Sequence, residues 1–347
     1  MESGVFHTTY ASDMALRRTP LMRLRLIVVV VFLLVFPFVA NGYQLTLANQ
    51  IGIYAIGAIG LNILTGFTGQ ISLGQGAFMA VGAYSSGLLA ARMGMPWWLT
   101  IPVACTVTAA VGAVFGIPSL RLKGLYLAIA TLAAQQIIQW LITNWRGLTG
   151  GVEALVVPTP ELFGLRMSTN FRFYWVVLFF ATLTTIFAVN LFRTKIGRAF
   201  IAIRDQDIAA EVMGVDIFRY KLLAFATSSF FVGLSGALVA QWRGIVNYER
   251  FTIETSIFFL AVIIIGGLGS VAGSIYGAIF MTLLPAILTN LGGAVGGSIP
   301  GLAGILPFIQ QGVFGLTIVL FLIFEPEGIA KIWKNVKDYF RLWPFSY

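Results

Sequence analysis

Long apolar runs dominate this chain, and short polar or glycine-rich stretches separate them. Runs of about 18 or more apolar residues are typical of helices that cross a bilayer. The pattern therefore predicts an all-α polytopic membrane protein with about ten transmembrane or partly spanning helices. The predicted segments are residues 24–41, 45–64, 72–91, 97–118, 124–144, 173–192, 218–241, 254–267, 271–290 and 306–324.

The basic residues predict how these segments are oriented. If the N-terminus lies in the cytoplasm and every segment crosses, 16 of the 22 Lys and Arg residues fall on the cytoplasmic side. The positive-inside rule requires this bias, so both termini are predicted to be cytoplasmic. The predicted organisation is a tail at 1–23, a transmembrane domain at 24–325 and a tail at 326–347, with an outer loop at 145–172 and a cytoplasmic loop at 193–217.

The composition agrees with a membrane protein and argues against other classes. Hydrophobic residues make up 58% of the chain and charged residues 10%, whereas about a quarter of a soluble domain is charged. The net charge of +9 is spread over the flanks of the segments, which favours loop bias over nucleic-acid binding. The single cysteine, Cys105, and the single histidine, His7, give no basis for an internal disulfide or a metal site.

Charged residues avoid the centres of the predicted segments. A charge there costs at least about 2.5–3.5 kcal/mol and normally marks an ion or proton pathway, so its absence argues against a proton-coupled carrier. Sodium coupling stays open, because hydroxyls and backbone carbonyls can hold Na⁺. No G-x-x-x-x-G-K-[ST] loop and no catalytic or metal-ligand spacing occurs. No enzyme is therefore predicted, and any ATP that drives this protein would bind to another subunit.

Two uncharged, glycine-rich stretches echo each other at 65–79 and 266–281. Each breaks an apolar run and leads into a segment rich in small residues. They are interpreted either as broken helices from two internal repeats, as in many transporters, or as tight turns between closely packed helices. A third glycine-rich stretch, 291–305, is predicted to be a flexible cap or a re-entrant hairpin.

The predicted cytoplasmic loop and the residues just after it hold more charged residues than any other stretch between two predicted segments. From Arg193 to Lys221 the chain has six basic and four acidic residues. Within the loop, Asp205 to Met213 is predicted to be a short helix, capped by Asp205 or Asp207 and ended by Gly214. Ile208, Val212 and Met213 would give this helix an apolar face, with Asp207 and Glu211 on another face.

A helix this short is marginal in water and needs a partner to pack against. It could lie on the membrane surface, connect two spans in solvent, or insert into a groove on a cytoplasmic motor subunit. The other basic residues of the loop are interpreted as holding the flanking helices at the membrane surface: Arg193, Lys195, Arg198, Arg219 and Lys221.

Six stretches of this sequence together resemble the permeases of branched-chain amino acid ABC importers, and within that family the LivM type. The resemblance covers about residues 45 to 325, and the combination is specific although each glycine motif alone is weak. The stretches are GLNILTGFTGQISLGQGAF (60–78), LTGG (148–151), GRAFIAIRDQDIAAEVMGVD (197–216), YKLLAF (220–225), GLSGAL (233–238) and GGLGSVAG (266–273).

The resemblance implies a transmembrane permease subunit of an ATP-driven, binding-protein-dependent importer in the bacterial inner membrane. It implies a second, LivH-like permease, two cytoplasmic ATPase subunits that bind ATP-Mg, and a periplasmic solute-binding protein. This chain itself is expected to bind no cofactor, and its cargo is expected to be branched-chain or similar amino acids. Alternatives are an importer of the same architecture for urea, amides or aromatic acids, and a stand-alone channel or facilitator.

The resemblance also suggests site residues. Loop 145–172 would meet the binding protein. The helix that couples this chain to the ATPase would contain Asp205, Asp207, Ile208, Glu211, Val212 and Gly214. Candidates for the translocation path lie in the two glycine-rich breaks, with interhelical hydrogen bonding as the alternative role for each of them. These candidates are Gln70, Ser72, Gln75, Ser270 and Ser274.

Overall fold

The computed structural model describes residues 20–119, 122, 124–162, 165–167, 169–296 and 302–342. Helices account for most of this part of the chain. The longer helices are α1 (Pro20–Val39), α2 (Gly42–Thr68), α3 (Gln75–Met93), α4 (Trp97–Ser119), α5 (Leu125–Asn144), α7 (Asn170–Leu191), α10 (Ile217–Arg243), α11 (Ile253–Gly266), α12 (Val271–Gly296), α13 (Leu302–Phe324) and α14 (Gly328–Leu342). The shorter helices are α6 (Arg146–Thr149), α8 (Lys195–Asp205) and α9 (Asp207–Val212).

An all-α, multi-pass membrane protein is confirmed in outline. Six of the described helices are long and apolar enough to cross a membrane, or seven if the bent α13–α14 pair is counted as one span. Each of the ten predicted segments coincides with a helix, but some helices do not qualify as complete spans. Helix α11 has only 14 residues, and the described apolar part of α1 is short. The count of ten stays a prediction.

Helix α10 is the centre of the packing, where it lies against α2, α3 and α4. Glycines permit this close approach. A Cβ atom on Gly236 would overlap the carbonyl oxygen of Met79, and one on Gly82 would overlap that of Gly233. Small residues at helix crossings are typical of membrane proteins, where van der Waals contact between backbones contributes much of the association energy.

A second packing unit joins α12 to α2 and α11. Gly277 lies so close to α11 that an added Cβ would overlap the carbonyl oxygen of Val262, and Gly266 faces Gly273 in the same way. The stretch 266–273 therefore serves two structural roles, because it ends one helix and also brings the next helix against the first.

The two ends of the molecule differ in character. One end, called the charged end here, contains α8, α9 and α14. The other end contains α6 and four short strands: β1 (Leu155–Val156), β2 (Glu161–Leu162), β3 (Leu165–Arg166) and β4 (Ile245–Val246). Strand β1 pairs antiparallel with β4, and β2 pairs antiparallel with β3. The predicted outer loop 145–172 is thus tied to the end of α10.

Parts of several predicted regions fall outside the described residues, including 163–164 and 168 of the outer loop and 343–347 of the C-terminal tail. In the predicted tail 1–23, residues 1–19 lie outside them, and the last residues already belong to α1. In the stretch 291–305, residues up to Gly296 are helical, residues 297–301 lie outside the described part, and α13 follows. The predicted C-terminal tail contains a helix, α14, that the sequence reasoning did not identify.

Candidate functional site

The predicted helix from Asp205 to Met213 is wrong in its boundaries, because the chain forms two helices there. Helix α8 ends at Asp205, and Gln206 adopts an extended conformation with φ −162° and ψ 106°. The backbone therefore turns before α9 begins at Asp207. The predicted cap is also wrong, since Gln206 occupies the cap position without a side-chain hydrogen bond. Asp207 lies in the first turn, where its charge complements the helix dipole.

The predicted end of this helix at Gly214 is confirmed. Gly214 has φ +86°, a conformation that costs other residues about 1–2 kcal/mol. Its N–H donates to the carbonyl of Glu211 at 2.9 Å, and the N–H of Val215 donates to that of Ala210 at 3.0 Å. These two bonds satisfy carbonyls that the helix leaves free at its C-terminus.

The predicted apolar face of α9 points away from the protein. Val212 and Met213 are 83% and 84% exposed, and Ile208 is 64% exposed, whereas Ala210 is buried beneath them. An open cleft of about 550 Å³ lies beside this face, between α9 and the first turn of α10. Its lining residues include Asp207, Ile208, Glu211 and Gly214 from the predicted coupling residues. Apolar side chains this exposed on a polar helix indicate a contact surface.

Lys221 is placed differently from the expectation that it anchors a helix at the membrane surface. Its side chain is 12% exposed, and its Nζ lies 3.9 Å from a carboxylate oxygen of Asp207. Arg219 pairs instead with Asp216 at 2.9 Å, within the first turn of α10. Lys221 thus ties the start of α9 to α10.

Arg204 connects this charged segment to both glycine-rich breaks. Its Nη1 donates to the carbonyl oxygen of Gly66 at 3.0 Å, and its Nε and Nη2 donate to Asp205 at 3.2 and 3.1 Å. Its side chain also lies against Gly69 and Gly269, so closely that a Cβ on either would crowd it. A cation suits this position, because the last carbonyls of α2 have no intrahelical partner and lie at the negative end of the helix dipole.

Asn62, a buried residue of α2, binds the second break through its side-chain amide. Its Nδ2 donates to the carbonyl of Ser270 at 2.9 Å and to the hydroxyl of Ser274 at 2.7 Å, with a longer bond to the carbonyl of Gly267 at 3.3 Å. Its Oδ1 accepts from the N–H of Gly269 at 2.9 Å. The side chain is 1% exposed. One amide therefore satisfies much of the unwound backbone of the second break.

The first break, residues 69–74, is an unwound segment that runs back along α2. It starts beside Arg204 at the charged end, and just past its other end the Nε2 of Gln75 donates to the carbonyl of Gly57 at 2.9 Å. Residues 57 to 68 of α2 rise by about 16 Å, so α3 begins about that far inside the protein. Irregular backbone at this depth is tolerated in a membrane where the surrounding protein satisfies it.

The backbone N–H groups at the buried start of α3 donate hydrogen bonds to side chains of α5 and α11. The N–H of Ala77 donates to Oε1 of Gln135 at 2.6 Å, and the N–H of Gly76 donates to Ser256 at 2.8 Å. Gln135 also donates from Nε2 to the carbonyl of Phe251 at 2.8 Å. Gln135 is 0% exposed and thus holds three segments together: α3, α5 and the start of α11.

Three of the five candidate path residues lie at the first break and two at the second. Each of them takes part in hydrogen bonding within the fold. Gln75 bonds to Gly57 as above, Ser72 accepts from the N–H of Gly74 at 3.3 Å, and Ser274 accepts from Asn62. Ser270 accepts from the N–H of Gly273 at 3.1 Å.

Gln70 differs from these residues in two respects. Its Nε2 donates to Thr68 at 3.2 Å, while its Oε1 is buried without a hydrogen-bond partner among the described residues. It also lines an open cleft of about 440 Å³ at the charged end, which Arg204, Asp205 and Asp207 border. A path role for these five residues stays a prediction.

The sequence reasoning missed Asn62, Gln135 and Arg204 as functional candidates. Asn62 and Gln135 carried a usable signal, since an amide inside an apolar run needs a partner within the protein. Arg204 carried less signal. It belongs to a loop with many charges, and its contact on Gly66 is 138 residues away in the chain.

The amino-acid sequence matches a known protein family over most of the chain. Residues 43–322 match the model of a family described as the permease component of the branched-chain amino acid transport system. The chain belongs to this family. The match includes α2 to α12 and most of α13, and therefore both breaks and α9.

The chain is also similar to individual permeases of this family. The chain is 35% identical to the high-affinity branched-chain amino acid transport system permease protein LivM of Escherichia coli strain K12, over 72% of this chain and 64% of that protein. It is 24% identical to the probable LivM of Methanocaldococcus jannaschii, over 80% of this chain and 90% of that one. It is 25% identical to LivH of Escherichia coli strain K12, over 64% and 77%.

The aligned part thus spans 64% of the length of the Escherichia coli LivM relative. No solved structure matches the chain.

Proposed function

We propose that this chain is the transmembrane permease subunit of an ATP-driven, binding-protein-dependent importer that moves branched-chain or similar amino acids into the cytoplasm. The observation that carries the proposal is the exposed apolar face of α9, joined through Arg204 to two unwound segments inside the protein. If the ATPase subunits move α9, that movement must be transmitted to the segments that open the translocation path. A stand-alone channel needs no such connection.

The proposed partners follow from this surface and from the family. Two ATPase subunits that bind ATP-Mg dock on α9 from the cytoplasm, and this chain itself binds no cofactor. The relatives include both LivM and LivH permeases, which supports a LivH-like second permease beside this one. A periplasmic binding protein meets the opposite end, at the structured loop 145–172.

The proposed topology puts the charged end, both termini and the loop 193–217 in the cytoplasm of a bacterial inner membrane. The bias of Lys and Arg toward that side supports it. Ten transmembrane or partly spanning helices within residues 24–325 are proposed, with shorter helices such as α11 completed by neighbouring unwound segments. The proposed path follows the first break, where Gln70 borders a cleft.

The docking role is tested by placing a charge on α9. Met213→Asp should abolish co-purification with the ATPase subunits and ATP-driven uptake of leucine into proteoliposomes. Met93→Asp is the matched control, because Met93 is 70% exposed at the opposite end of the molecule. Uptake at the wild-type rate by the Met213 variant would contradict docking on α9.

A second experiment separates the importer from a facilitator. The wild-type chain is reconstituted with its partners in liposomes. ATP is either supplied on the side of the membrane where the ATPase subunits are bound or left out. Uptake should require both ATP and the binding protein. Uptake by the chain alone, without ATP, would make a channel or facilitator the correct assignment, and binding measurements on the solute-binding protein would identify the solute.

A further inference from the structure

Helix α14 has an apolar face that the rest of the described protein leaves uncovered. Ile332, Trp333, Val336 and Tyr339 recur at helical spacing, and they are 40%, 60%, 41% and 63% exposed. Such a stripe on one side of a helix needs a partner with an apolar surface. Contact with the protein core is concentrated near the start of the helix, where Ile329 packs against the buried cluster.

The opposite face of α14 is basic. Lys331, Lys334 and Lys337 follow one another at a spacing of three residues, and Asp338 is an acidic residue among them. Lys331 forms an ion pair with Glu327 one turn earlier, and Lys334 and Lys337 are exposed. A helix with an apolar face, aromatic residues at its border and lysines on the polar face has the pattern of a helix that lies in the membrane–water interface.

The position of α14 favours lipid as its occupant. The helix follows the apolar helix α13 after a bend of 50°, so it departs from the axis of that helix at the charged end. If α13 crosses the bilayer, this end lies near the membrane–water interface, where Trp and Tyr are enriched and lysines attract anionic headgroups. A protein partner is less suited to this surface, since lysine is depleted in protein–protein interfaces.

The start of α14 also contacts the second glycine-rich break. A Cβ on Gly267 would lie 3.0 Å from the Cβ of Ala330 and from the carbonyl oxygen of Glu327. Gly328 approaches the backbone of Gly267 and Ile265, where an added Cβ would lie 2.7 Å from either. A movement of α14 relative to the bilayer would therefore displace the second break, to which Asn62 is hydrogen-bonded.

We propose that α14 is an interfacial helix that binds the acidic phospholipids of the adjoining leaflet. Its apolar face lies among the acyl chains near the headgroups, and Lys334 and Lys337 bind anionic headgroups. In this position the helix braces the second break from outside. The proposal requires only that α13 lies in the bilayer, so it stands or falls independently of the transport function.

The test uses the full chain with its buried cysteine replaced, Cys105→Ser, and a nitroxide label at Val336→Cys or at Lys334→Cys. Each protein is reconstituted in phosphatidylcholine vesicles with and without phosphatidylglycerol. The label at 336 should be accessible to oxygen and shielded from a water-soluble nickel complex, and the label at 334 should show the reverse. Equal accessibility at the two positions would overturn the proposal.

Shielding of position 336 that appears only after the ATPase subunits are added would also overturn it, because α14 would then be a protein-docking helix. A second measurement avoids the cysteine changes. Phosphatidylglycerol retained on the purified chain is compared with that on Lys334→Gln/Lys337→Gln. At about 1 kcal/mol per basic residue near an anionic surface, affinity should fall by roughly 30-fold. Unchanged retention by the double variant would contradict headgroup binding.

Discussion

Arg204 Nη1 donates a hydrogen bond of 3.0 Å to the carbonyl oxygen of Gly66, which joins the end of α8 to the last turn of α2. The same guanidinium holds Asp205, the residue after which the chain turns into α9. A displacement of α9 therefore reaches α2 through one side chain. Because Gly69 and Gly269 both lie against Arg204, the same side chain contacts both breaks.

The first prediction concerns this link. Arg204→Gln should lower ATP-driven uptake by about five-fold while ATP hydrolysis in the assembled transporter is largely retained. A hydrogen bond from a charged group contributes about 1.5–3 kcal/mol, and solvent reduces this to about 1 kcal/mol because the side chain is 40% exposed.

Uptake and hydrolysis are measured on the same proteoliposomes. Arg198→Gln is the control, since Arg198 is exposed on the same helix. An equal loss of uptake and hydrolysis in the Arg204 variant would mean that assembly, rather than transmission, was damaged.

The second prediction concerns the turn after α9. Gly214→Ala should impair ATPase docking, because alanine at φ +86° costs about 1–2 kcal/mol and the turn would rearrange. No neighbouring atom lies within 4 Å of the Cβ position, so the effect is one of backbone strain alone. Co-purification of the ATPase and its affinity for the reconstituted permease give the readout.

Gly94→Ala is the matched control for this strain. Gly94 ends α3 with φ +62°, also has open space at its Cβ position, and lies at the opposite end of the molecule. The Gly94→Ala variant should lose a comparable amount of thermal stability but should still bind the ATPase subunits. Equal docking by the two variants would argue against a role for the Gly214 turn.

The sequence was sufficient to predict most of the long helices but only part of their arrangement. Apolar runs marked every long helix except α14, and the glycines of 69–74 and 267–270 marked both breaks. The boundaries of α8 and α9 were missed because Gln206, which adopts the extended conformation between them, is not a residue type that marks a turn in a sequence. Helix α14 was missed because its apolar residues alternate with lysines, so that hydropathy alone did not separate it from a tail.

The site was harder to predict than the fold for a related reason. Asn62 and Arg204 act on residues more than a hundred positions away. Most of the groups bound there carry no sequence signal, because they are backbone atoms of Gly66, Gly269 and Ser270. The hydroxyl of Ser274 is the exception. The face formed by Ile208 and Val212 was predicted correctly, because it depends only on local helical periodicity.

The third prediction concerns close packing between α11 and α12. Gly277→Ala should destabilise the protein by about 1–3 kcal/mol, because the new methyl group overlaps the carbonyl oxygen of Val262. Thermal unfolding in detergent measures the loss. Gly315→Ala in α13 is the control, with no atom within 4 Å of its Cβ position, and it should be neutral or slightly stabilising. Similar melting temperatures for the two variants would contradict close packing of α11 against α12.

The fourth prediction concerns the buried start of α3. Gln135→Leu removes the acceptor for the N–H of Ala77 and the donor for the carbonyl of Phe251. Each buried group left without a partner costs about 1–3 kcal/mol, and little water is available to replace the lost bonds. The variant should therefore lose at least about 2 kcal/mol of stability in detergent.

Gln136→Leu is the matched control, because the neighbouring Gln136 is exposed and the same change of side chain there should have little effect. Uptake distinguishes a purely structural role from a functional one. If the start of α3 lines the path, a Gln135→Leu protein that still folds at low temperature should transport more slowly than wild type at equal ATPase activity. Wild-type uptake with reduced melting temperature would restrict Gln135 to holding α3, α5 and α11 together.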